Sequence, residues 1–349
     1  MAATESNVAG TINNAPYYSG DPVNRQPERW KSLPYSLIDE LNNPKGYRPD
    51  KGLIDAVNVA LTLGQPLLLT GEPGTGKTQL AYSIAYELGF DTPYKFETKS
   101  TTEGRDLFYS FDTLGRFHAA SHKDESIDPV NFITYNALGM AIIRANPQAT
   151  VADVLPPTYV HPLEQKRSIV LIDEVDKAPR EVPNDILNEI ESMYFRIPEL
   201  GHREVRAETQ WQPVVIITSN SEKALPDAFL RRCVYYNIPF PPRELLQEIL
   251  NERVGKRLHG FGNLLDELLD LFYWLREPRQ GLQKKPGTAE ILSWTLALGS
   301  KNPDPATSLK KQKDLITASY HVLFKNKEDH KNANKLIDEW AKTSSHRVS

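Results

Sequence analysis

Residues 71–78 read GEPGTGKT, and they constrain this chain more than any other segment. Three of the eight residues are glycines, so the backbone can adopt conformations that a Cβ atom would forbid. The preceding residues, 65–70, predict a buried strand, and residues 79–88 predict a helix. A glycine-rich turn between a strand and the N-terminus of a helix is typical of a loop that wraps phosphate groups.

The octet fits the pattern G-x-x-x-x-G-K-[ST], in which successive N–H groups turn toward an anion. Lys77 is expected to reach the β- and γ-phosphates of a nucleotide, and the Thr78 hydroxyl is expected to bind Mg²⁺. A competing interpretation is a structural turn with an incidental lysine. The candidates for nucleotide binding are Gly71, Glu72, Pro73, Gly74, Thr75, Gly76, Lys77 and Thr78.

The composition is that of an ordinary soluble globular protein, with 25% charged and 40% hydrophobic residues. The net charge of −4 gives no global basic field that would indicate nucleic acid as a partner. Residues 1–240 are acidic overall, and residues 241–349 are mildly basic. The chain has a single cysteine, Cys233, which excludes an intrachain disulfide. This cysteine content is typical of proteins in the reducing cytoplasm, where we expect this protein. No apolar run is long enough for a membrane span.

Five short apolar segments predict the strands of a parallel, helix-covered sheet. They are Leu67–Thr70, Tyr94–Thr98, Ser168–Ile172, Pro213–Thr218 and Val234–Ile238. Residues 99–166 exceed what a crossover connection needs, so they predict an insertion, with a helix over 128–145 and a loop over 147–162. Residues 197–206 predict a second insertion, a β-hairpin.

Beyond Pro239 the pattern becomes helical. Amphipathic helices are predicted over Glu244–Glu252, Asn263–Leu275, Thr288–Leu298 and Leu309–Phe324. The chain therefore divides into three predicted parts. They are a mobile N-terminal tail and lead-in over 1–45, an α/β nucleotide-binding core over 46–240, and a helical part over 241–349.

Polar side chains follow two of the predicted strands. Asp173 ends the apolar run 168–172 and is expected to hold Mg²⁺, directly or through water. Glu174 comes next and is a candidate for polarising a water molecule against the γ-phosphate. Asn220 ends the run 214–219 and is a candidate for orienting that water or for contacting the γ-phosphate, although asparagine at a strand end is also a common turn residue.

Arg231 and Arg232 precede the last predicted strand. Two adjacent arginines are commonly a solvated surface pair. The alternative is an arginine finger, a cation donated to the γ-phosphate of a neighbouring subunit, with Arg232 the first candidate and Arg231 the second.

These segments together resemble the AAA+ ATPases, and more closely the MoxR-like branch, from about Arg48 to Trp294. The most specific pieces are GEPGTGKT at 71, LIDEVDKAPREVPNDILNEIE at 171, VVIITSN at 214 and LPDAFLRRCVYYNIPFP at 225. Residues 99–118, KSTTEGRDLFYSFDTLGRFH, are similar to the helical insert that this branch has after its second strand.

The resemblance implies a P-loop core with a parallel five-stranded sheet in the order 5-1-4-3-2, and a small all-α lid. It implies ATP and Mg²⁺ as cofactors and a ring, usually of six subunits. It also assigns the water-activating glutamate to Glu174, the sensor asparagine to Asn220 and the finger arginine to Arg232. MoxR-like proteins are similar to chaperones that remodel or activate a partner protein, often one with a von Willebrand factor A domain.

The sequence departs from the family in the expected lid. Related lids often carry an arginine that reaches the γ-phosphate, and Ala289 stands at that position here. Lys284, Lys285 and Thr288 are the nearest candidates to replace it, and both lysines are equally compatible with a plain loop. Residues 47–50 precede the core at a distance that would let them border the nucleotide base.

Three functions are compatible with these observations. The first is a ring-forming ATPase that remodels a partner protein. The second is a nucleotide-gated scaffold or signalling module with slow hydrolysis, which the missing lid arginine keeps open. The third is a nucleic-acid motor or a GTPase subunit of a restriction-like system. The negative net charge and the lack of a basic or aromatic stripe oppose the third.

Overall fold

The structure is a computed structural model. It describes residues 43–121, 127–162, 164–220, 225–254 and 262–343, together with Tyr18, Lys31 and Leu33. Apart from Tyr18, Lys31, Leu33 and residues 43–45, the tail and lead-in expected over 1–45 lie outside the described residues. The chain divides into two compact units, Pro44–Pro241 and Pro242–Ser349 with Met1–Asn43.

A parallel five-stranded sheet forms the centre of the Pro44–Pro241 unit. Its strands are β1 (Leu67–Gly71), β2 (Tyr94–Glu97), β5 (Ile169–Asp173), β8 (Val214–Thr218) and β9 (Val234–Ile238). All four neighbouring pairs run parallel. Each strand bound lies within one residue of its predicted position. The apolar runs of β1 and β5 are buried along their length, as strands covered on both faces require.

Numbered along the whole chain, the sheet order is β2-β5-β8-β1-β9. This numbering differs from the expected 5-1-4-3-2 because four further strands enter the count. They are β3 (Tyr109–Phe111), β4 (Ile133–Tyr135), β6 (Tyr194–Ile197) and β7 (Arg203–Arg206), and they form two separate two-stranded antiparallel sheets, β3–β4 and β6–β7. Counted among the sheet's own strands, the order from the β9 edge is fifth, first, fourth, third and second.

Two helices flank the glycine-rich loop along the chain. Helix α1 (Lys51–Leu63) begins where the Asp50 carboxylate accepts a hydrogen bond from Leu53 N at 3.0 Å. It ends at Gly64, which adopts a left-handed conformation. Helix α2 (Lys77–Leu88) begins directly after Gly76, so its first N–H groups lie at the end of the loop.

The first insertion differs from its prediction. The helix expected over 128–145 spans only Ala137–Arg144, because residues 133–135 form β4 and pair with β3. Helix Ala137–Arg144 packs closely on the backbone just before β3, since a Cβ atom on Gly139 would lie 2.0 Å from Phe108 O. A further helix, Thr113–Ser121, follows β3 directly.

The second insertion is the β6–β7 hairpin, which begins three residues before the predicted one. Phe195, Ile197 and Val205 point into the core. Arg196, Glu204 and Arg206 form ion pairs on the opposite side. This alternation has the period of two that a half-buried strand requires.

The described part of the Pro242–Ser349 unit is helical. Its longer helices are Arg243–Val254, Gly262–Arg276, Thr288–Gly299 and Lys327–Lys342. The continuous helix expected over Leu309–Phe324 is wrong. That stretch contains 3₁₀ turns at Leu309–Lys311 and Tyr320–Val322 around a short helix, Lys313–Thr317. The backbone leaves the helical region at Ser319, whose hydroxyl accepts a hydrogen bond from Trp294 Nε1 at 3.0 Å.

No helix within the described ranges is both long enough and apolar enough to cross a bilayer.

Replacing Phe195 by alanine should destabilise the Pro44–Pro241 unit. The ring is buried and stacks on Phe108, with centroids 5.4 Å apart and planes 18° apart. We expect the free energy of unfolding to fall by about 3–5 kcal/mol, because the substitution leaves a cavity between the hairpin and the first insertion. Urea unfolding measures the change.

The matched control is Phe117→Ala, in which the lost ring is 70% exposed. This substitution should change the free energy of unfolding by less than about 0.5 kcal/mol. Equal losses for the two variants would contradict the packing described for the hairpin.

Candidate nucleotide-binding site

The loop 71–78 depends on glycine at two close approaches. The φ angles of Gly71, Gly74 and Gly76 are 138°, 82° and 90°, which side-chain-bearing residues rarely adopt. A Cβ atom on Gly71 would lie 2.6 Å from Ile238 O, and one on Gly76 would lie 3.0 Å from the Tyr47 ring. The loop therefore lies against the end of β9 and against Tyr47, and it could not keep this path with larger residues.

Lys77 is buried and lies against the carbonyl groups of its own loop. Its Nζ donates to Gly71 O at 2.8 Å and to Glu72 O at 3.1 Å. Burial lowers the pKa of this ammonium group, and the carboxylates of Asp176, Asp173 and Glu174 oppose part of that effect. The loop thus holds a cation at the N-terminus of α2, where the backbone also favours an anion.

Asp173 is the centre of the site. It ends β5, is only 8% exposed, and receives hydrogen bonds or ion pairs from three different segments. Its Oδ1 accepts from Thr78 Oγ1 at 2.9 Å and from Thr218 Oγ1 at 2.7 Å. Its Oδ2 lies 3.1 Å from Lys95 Nζ. The prediction placed Thr78 and Asp173 at one metal site, and the structure brings these two side chains into direct contact.

Two opposing effects act on the pKa of Asp173. Burial raises it, whereas the hydrogen bonds from Thr218, Lys95 and Thr78 lower it and outweigh burial. The pKa of Asp173 therefore lies below its ordinary value, and the side chain carries a negative charge at neutral pH.

Glu174 follows Asp173 with a φ angle of 56°, a left-handed conformation that is uncommon for a glutamate. Its N–H donates to Thr218 Oγ1 at 2.9 Å. Its Oε1 accepts from Asn220 Nδ2 at 3.1 Å, and its Oε2 forms an ion pair with Lys177. The backbone thus turns Glu174 away from the direction of Asp173 and toward Asn220.

Asn220 lies beside Glu174, as the strand order would lead one to expect. Besides its bond to Glu174, its backbone N–H donates to Asp176 Oδ1 at 3.0 Å. The backbone bond to Asp176 thus positions the Asn220 side-chain amide beside Glu174 Oε1. Its suggested part in orienting a water molecule remains a prediction.

The two arginines do not belong to this group of contacts. Arg232 Nε donates to Glu191 Oε2 at 3.0 Å, and its NH1 donates to Ala228 O at 3.3 Å. Arg231 is exposed. An arginine finger acts on a neighbouring subunit, so its role stays a prediction for both residues.

Sequence reasoning missed three site residues. Thr218 is the last residue of β8, and its hydroxyl joins Asp173 to the N–H of Glu174. The sequence does carry a signal for Thr218, because it is a polar residue at the end of a predicted strand, and that strand pairs with β5. Lys95 lies on the edge strand β2, and Lys177 lies three residues after Glu174. Neither lysine has a spacing that distinguishes it from ordinary surface lysines.

Two further expectations are contact of residues 47–50 with the nucleotide base and replacement of the lid arginine by Lys284, Lys285 or Thr288. The Asp50 carboxylate accepts from Tyr236 OH at 2.6 Å as well as from Leu53 N, so it holds α1 against β9.

In the helical unit, Lys284 N donates to Asp329 Oδ2 at 3.1 Å. Both lysines at 284–285 and Ala289 are exposed, and Thr288 is buried. Contact with a base or a phosphate remains a prediction for all of these residues.

The arrangement fits a nucleoside triphosphate with Mg²⁺. The glycine loop ends at the N-terminus of α2, where N–H groups favour an anion, and Lys77 supplies a positive charge there. The Thr78 hydroxyl and the Asp173 carboxylate are oxygen ligands of the kind that Mg²⁺ uses together with phosphate oxygens.

The comparisons with known proteins point to the same kind of site. Residues 66–233, just under half of the chain, match the family model for the AAA domain of the dynein-related subfamily. This match supports an AAA+ ATPase domain with a nucleotide-binding P-loop. No protein with a curated description matches the sequence significantly.

Two solved structures show distant similarity. Thermotoga maritima RuvB T158V is 16% identical over 83% of this chain and 75% of its own, with a TM-score of 0.40. The FIGL-1 AAA domain in complex with ADP is 15% identical over 79% of this chain and 77% of its own, with a TM-score of 0.38.

Replacing Thr218 by valine should raise the pKa of Asp173. The variant keeps the side-chain volume but removes one of the hydrogen bonds that lower this pKa. It also removes the acceptor for Glu174 N, so we expect a loss of about 1–3 kcal/mol in the free energy of unfolding. Carboxyl-carbon NMR titration measures the pKa, and Thr218→Ser, which keeps the hydroxyl, is the control.

The sign of the pH dependence follows from the direction of the shift. Because the pKa of folded Asp173 is below its unfolded value, the stabilisation is present above the unfolded pKa and is lost as the pH falls through the folded pKa. The valine variant should lose less stability over this acid range than the serine variant. An Asp173 pKa equal in both variants would contradict the assigned hydrogen bond.

Proposed function

We propose that this chain is a MoxR-like AAA+ protein that binds ATP with Mg²⁺ at loop 71–78 and hydrolyses it. The observation that carries the proposal is the bonding around Asp173 Oδ1. This single oxygen accepts from Thr78 at the start of α2 and from Thr218 at the end of β8. Loop 71–78, Asp173 and strand β8 are thereby held together at the place where a metal-bound triphosphate would bind.

Binding would use groups that already lie in place. Lys77 would exchange the carbonyl oxygens of Gly71 and Glu72 for phosphate oxygens, which bind an ammonium group more strongly because they are charged. Thr78 and Asp173 would hold Mg²⁺. When bound, Mg²⁺ neutralises part of the charge that develops on the phosphate oxygens during hydrolysis.

Glu174 is the residue that we assign as general base. Its Oε1 accepts from Asn220 and its N–H donates to Thr218, so the end of β8 and the residue two positions beyond it set the direction of the carboxylate. The ion pair with Lys177 occupies Oε2, so Lys177 must move away before this oxygen can accept a proton from a water molecule.

This same ion pair favours a second candidate function. If Lys177 holds Glu174 through most of the cycle, the chain would bind ATP and change its assembly or its partners while hydrolysis stays slow. The protein would then act as a nucleotide-gated scaffold.

We further propose that the chain assembles into a ring, with six subunits as the number typical of the resemblance, and acts on a partner protein. A von Willebrand factor A domain is the expected partner type. Support for a donated arginine comes from the Arg232–Glu191 pair, in which both side chains are substantially exposed. Exposed pairs contribute little free energy, so Arg232 can leave Glu191 at low cost.

Glu174→Gln should keep nucleotide binding and lose turnover. The amide retains the shape and a hydrogen-bonding oxygen but cannot accept a proton. We expect the steady-state rate of ATP hydrolysis to fall by about 10²–10⁴-fold. Binding of a fluorescent ATP analogue should change by less than about threefold.

Lys77→Ala is the matched comparison, because it should abolish binding of the analogue while leaving Glu174 intact. Wild-type turnover by Glu174→Gln would refute the assigned base. A wild-type rate that is itself as slow as that of Glu174→Gln, with the analogue bound, would favour the nucleotide-gated scaffold.

Arg232→Ala should reduce hydrolysis without reducing analogue binding, because the arginine would act on the nucleotide of a neighbouring subunit. Arg231→Ala removes the same charge from the adjacent exposed residue and is expected to retain most of the activity. Light scattering with the ATP analogue and Mg²⁺ reports the assembly. A wild-type protein that stays a monomer under all of these conditions would contradict the ring.

A further inference from the structure

Lys95 lies between two carboxylates at the edge of the sheet. Its Nζ is 3.1 Å from Asp173 Oδ2 and 2.6 Å from Glu97 Oε1. The parallel register of β2 and β5 places Glu97 opposite Asp173, and Lys95 lies two residues before Glu97, on the same face. The lysine is therefore positioned by the regular geometry of the sheet and not by an irregular loop.

We propose that Lys95 competes with the metal at Asp173 and sets the divalent-cation concentration at which the nucleotide site is filled. This inference rests on the proposed function. The two hydroxyls of Thr78 and Thr218 occupy Oδ1, and the ammonium group occupies Oδ2. The protein's own cation thus already offsets part of the charge of Asp173.

Repulsion between the Lys95 ammonium group and the metal ion determines whether Lys95 strengthens or weakens metal binding. A metal ion held by Thr78 and Asp173 would lie next to the ammonium group in a largely buried site. Like charges repel more strongly there than in bulk water, because the effective dielectric constant is lower. The presence of Lys95 should therefore weaken metal binding.

Lys95 is not needed to orient the carboxylate. Two hydroxyl groups from different segments already fix Asp173 Oδ1. Removing the ammonium group should consequently leave the carboxylate in place and change mainly the local charge.

Glu97 provides an alternative partner for the displaced lysine. Its side chain is 69% exposed, and that of Lys95 is 30% exposed, so the ammonium group can shift toward Glu97 and solvent. The cost of displacement is limited because the lysine keeps one ion pair. Such a lysine would make metal binding weaker but would not prevent it.

The experiment measures metal binding directly, with Mn²⁺ as the probe and a non-hydrolysable ATP analogue present. Electron paramagnetic resonance of free Mn²⁺ gives the midpoint of metal binding without relying on activity. We expect Lys95→Gln to lower this midpoint by about three- to tenfold. Lys95→Arg keeps the charge and should stay within about twofold of the wild type.

Lys99→Gln is the matched control. It removes the same charge from an exposed lysine four residues further along the chain, and its midpoint should be unchanged. A midpoint in Lys95→Gln that is equal to or higher than that of the wild type would overturn the proposal. So would an equal decrease in Lys99→Gln, since the effect would then be one of overall charge.

Binding of the fluorescent ATP analogue in EDTA and in Mn²⁺ separates this proposal from the proposed function. If the analogue binds the wild type and the midpoints do not differ, only the role of Lys95 fails. If the analogue does not bind the wild type under either condition, the proposed function fails and the inference fails with it.

Discussion

The charge of one buried carboxylate, Asp173, is the constraint on which the site depends. A buried carboxylate is costly unless donors surround it. Here the donors come from the start of α2, the end of β8 and the edge strand β2. Satisfying Asp173 therefore requires three segments far apart in sequence to meet at one edge of the sheet. The same contacts place the Thr78 hydroxyl and the direction of Glu174, so the folding requirement and the proposed chemistry share one set of atoms.

Much of this arrangement could be predicted from the sequence, because its signals are local. The apolar runs at 67–70, 168–172 and 214–217 can be buried on both faces only as strands of a covered sheet. The spacing from Gly71 to Thr78 fixes the loop and the start of α2. Asp173 follows its strand directly, and the carboxyl ends of parallel strands meet at one edge. The contact between Thr78 and Asp173 follows from these facts together.

The remaining features depend on pairings that no local pattern encodes. Strand β4 exists because residues 133–135 pair with residues 109–111 across an intervening helix, and a run of three residues is too short to show a strand period by itself. Leu309–Phe324 has helical spacing, but the backbone leaves the helical region at Gln312 and Ser319, and the Ser319 hydroxyl accepts a hydrogen bond from the distant Trp294. Lys95 and Lys177 became site residues only once the register of β2 on β5 and the turn after Asp173 were known. In each case a long-range contact overrides or supplements a local preference.

The left-handed backbone at Glu174 sets stability and chemistry against each other at one position. Only glycine adopts such dihedral angles without strain, so a glycine there would relieve conformational energy that the native chain stores. That replacement would also delete the carboxylate that Asn220 and Lys177 contact. A screen that selects only for thermal robustness would weigh the relieved backbone strain against these two lost contacts, and it would not register the loss of the proposed base. Backbone strain of this kind is tolerated at active sites for the sake of their chemistry.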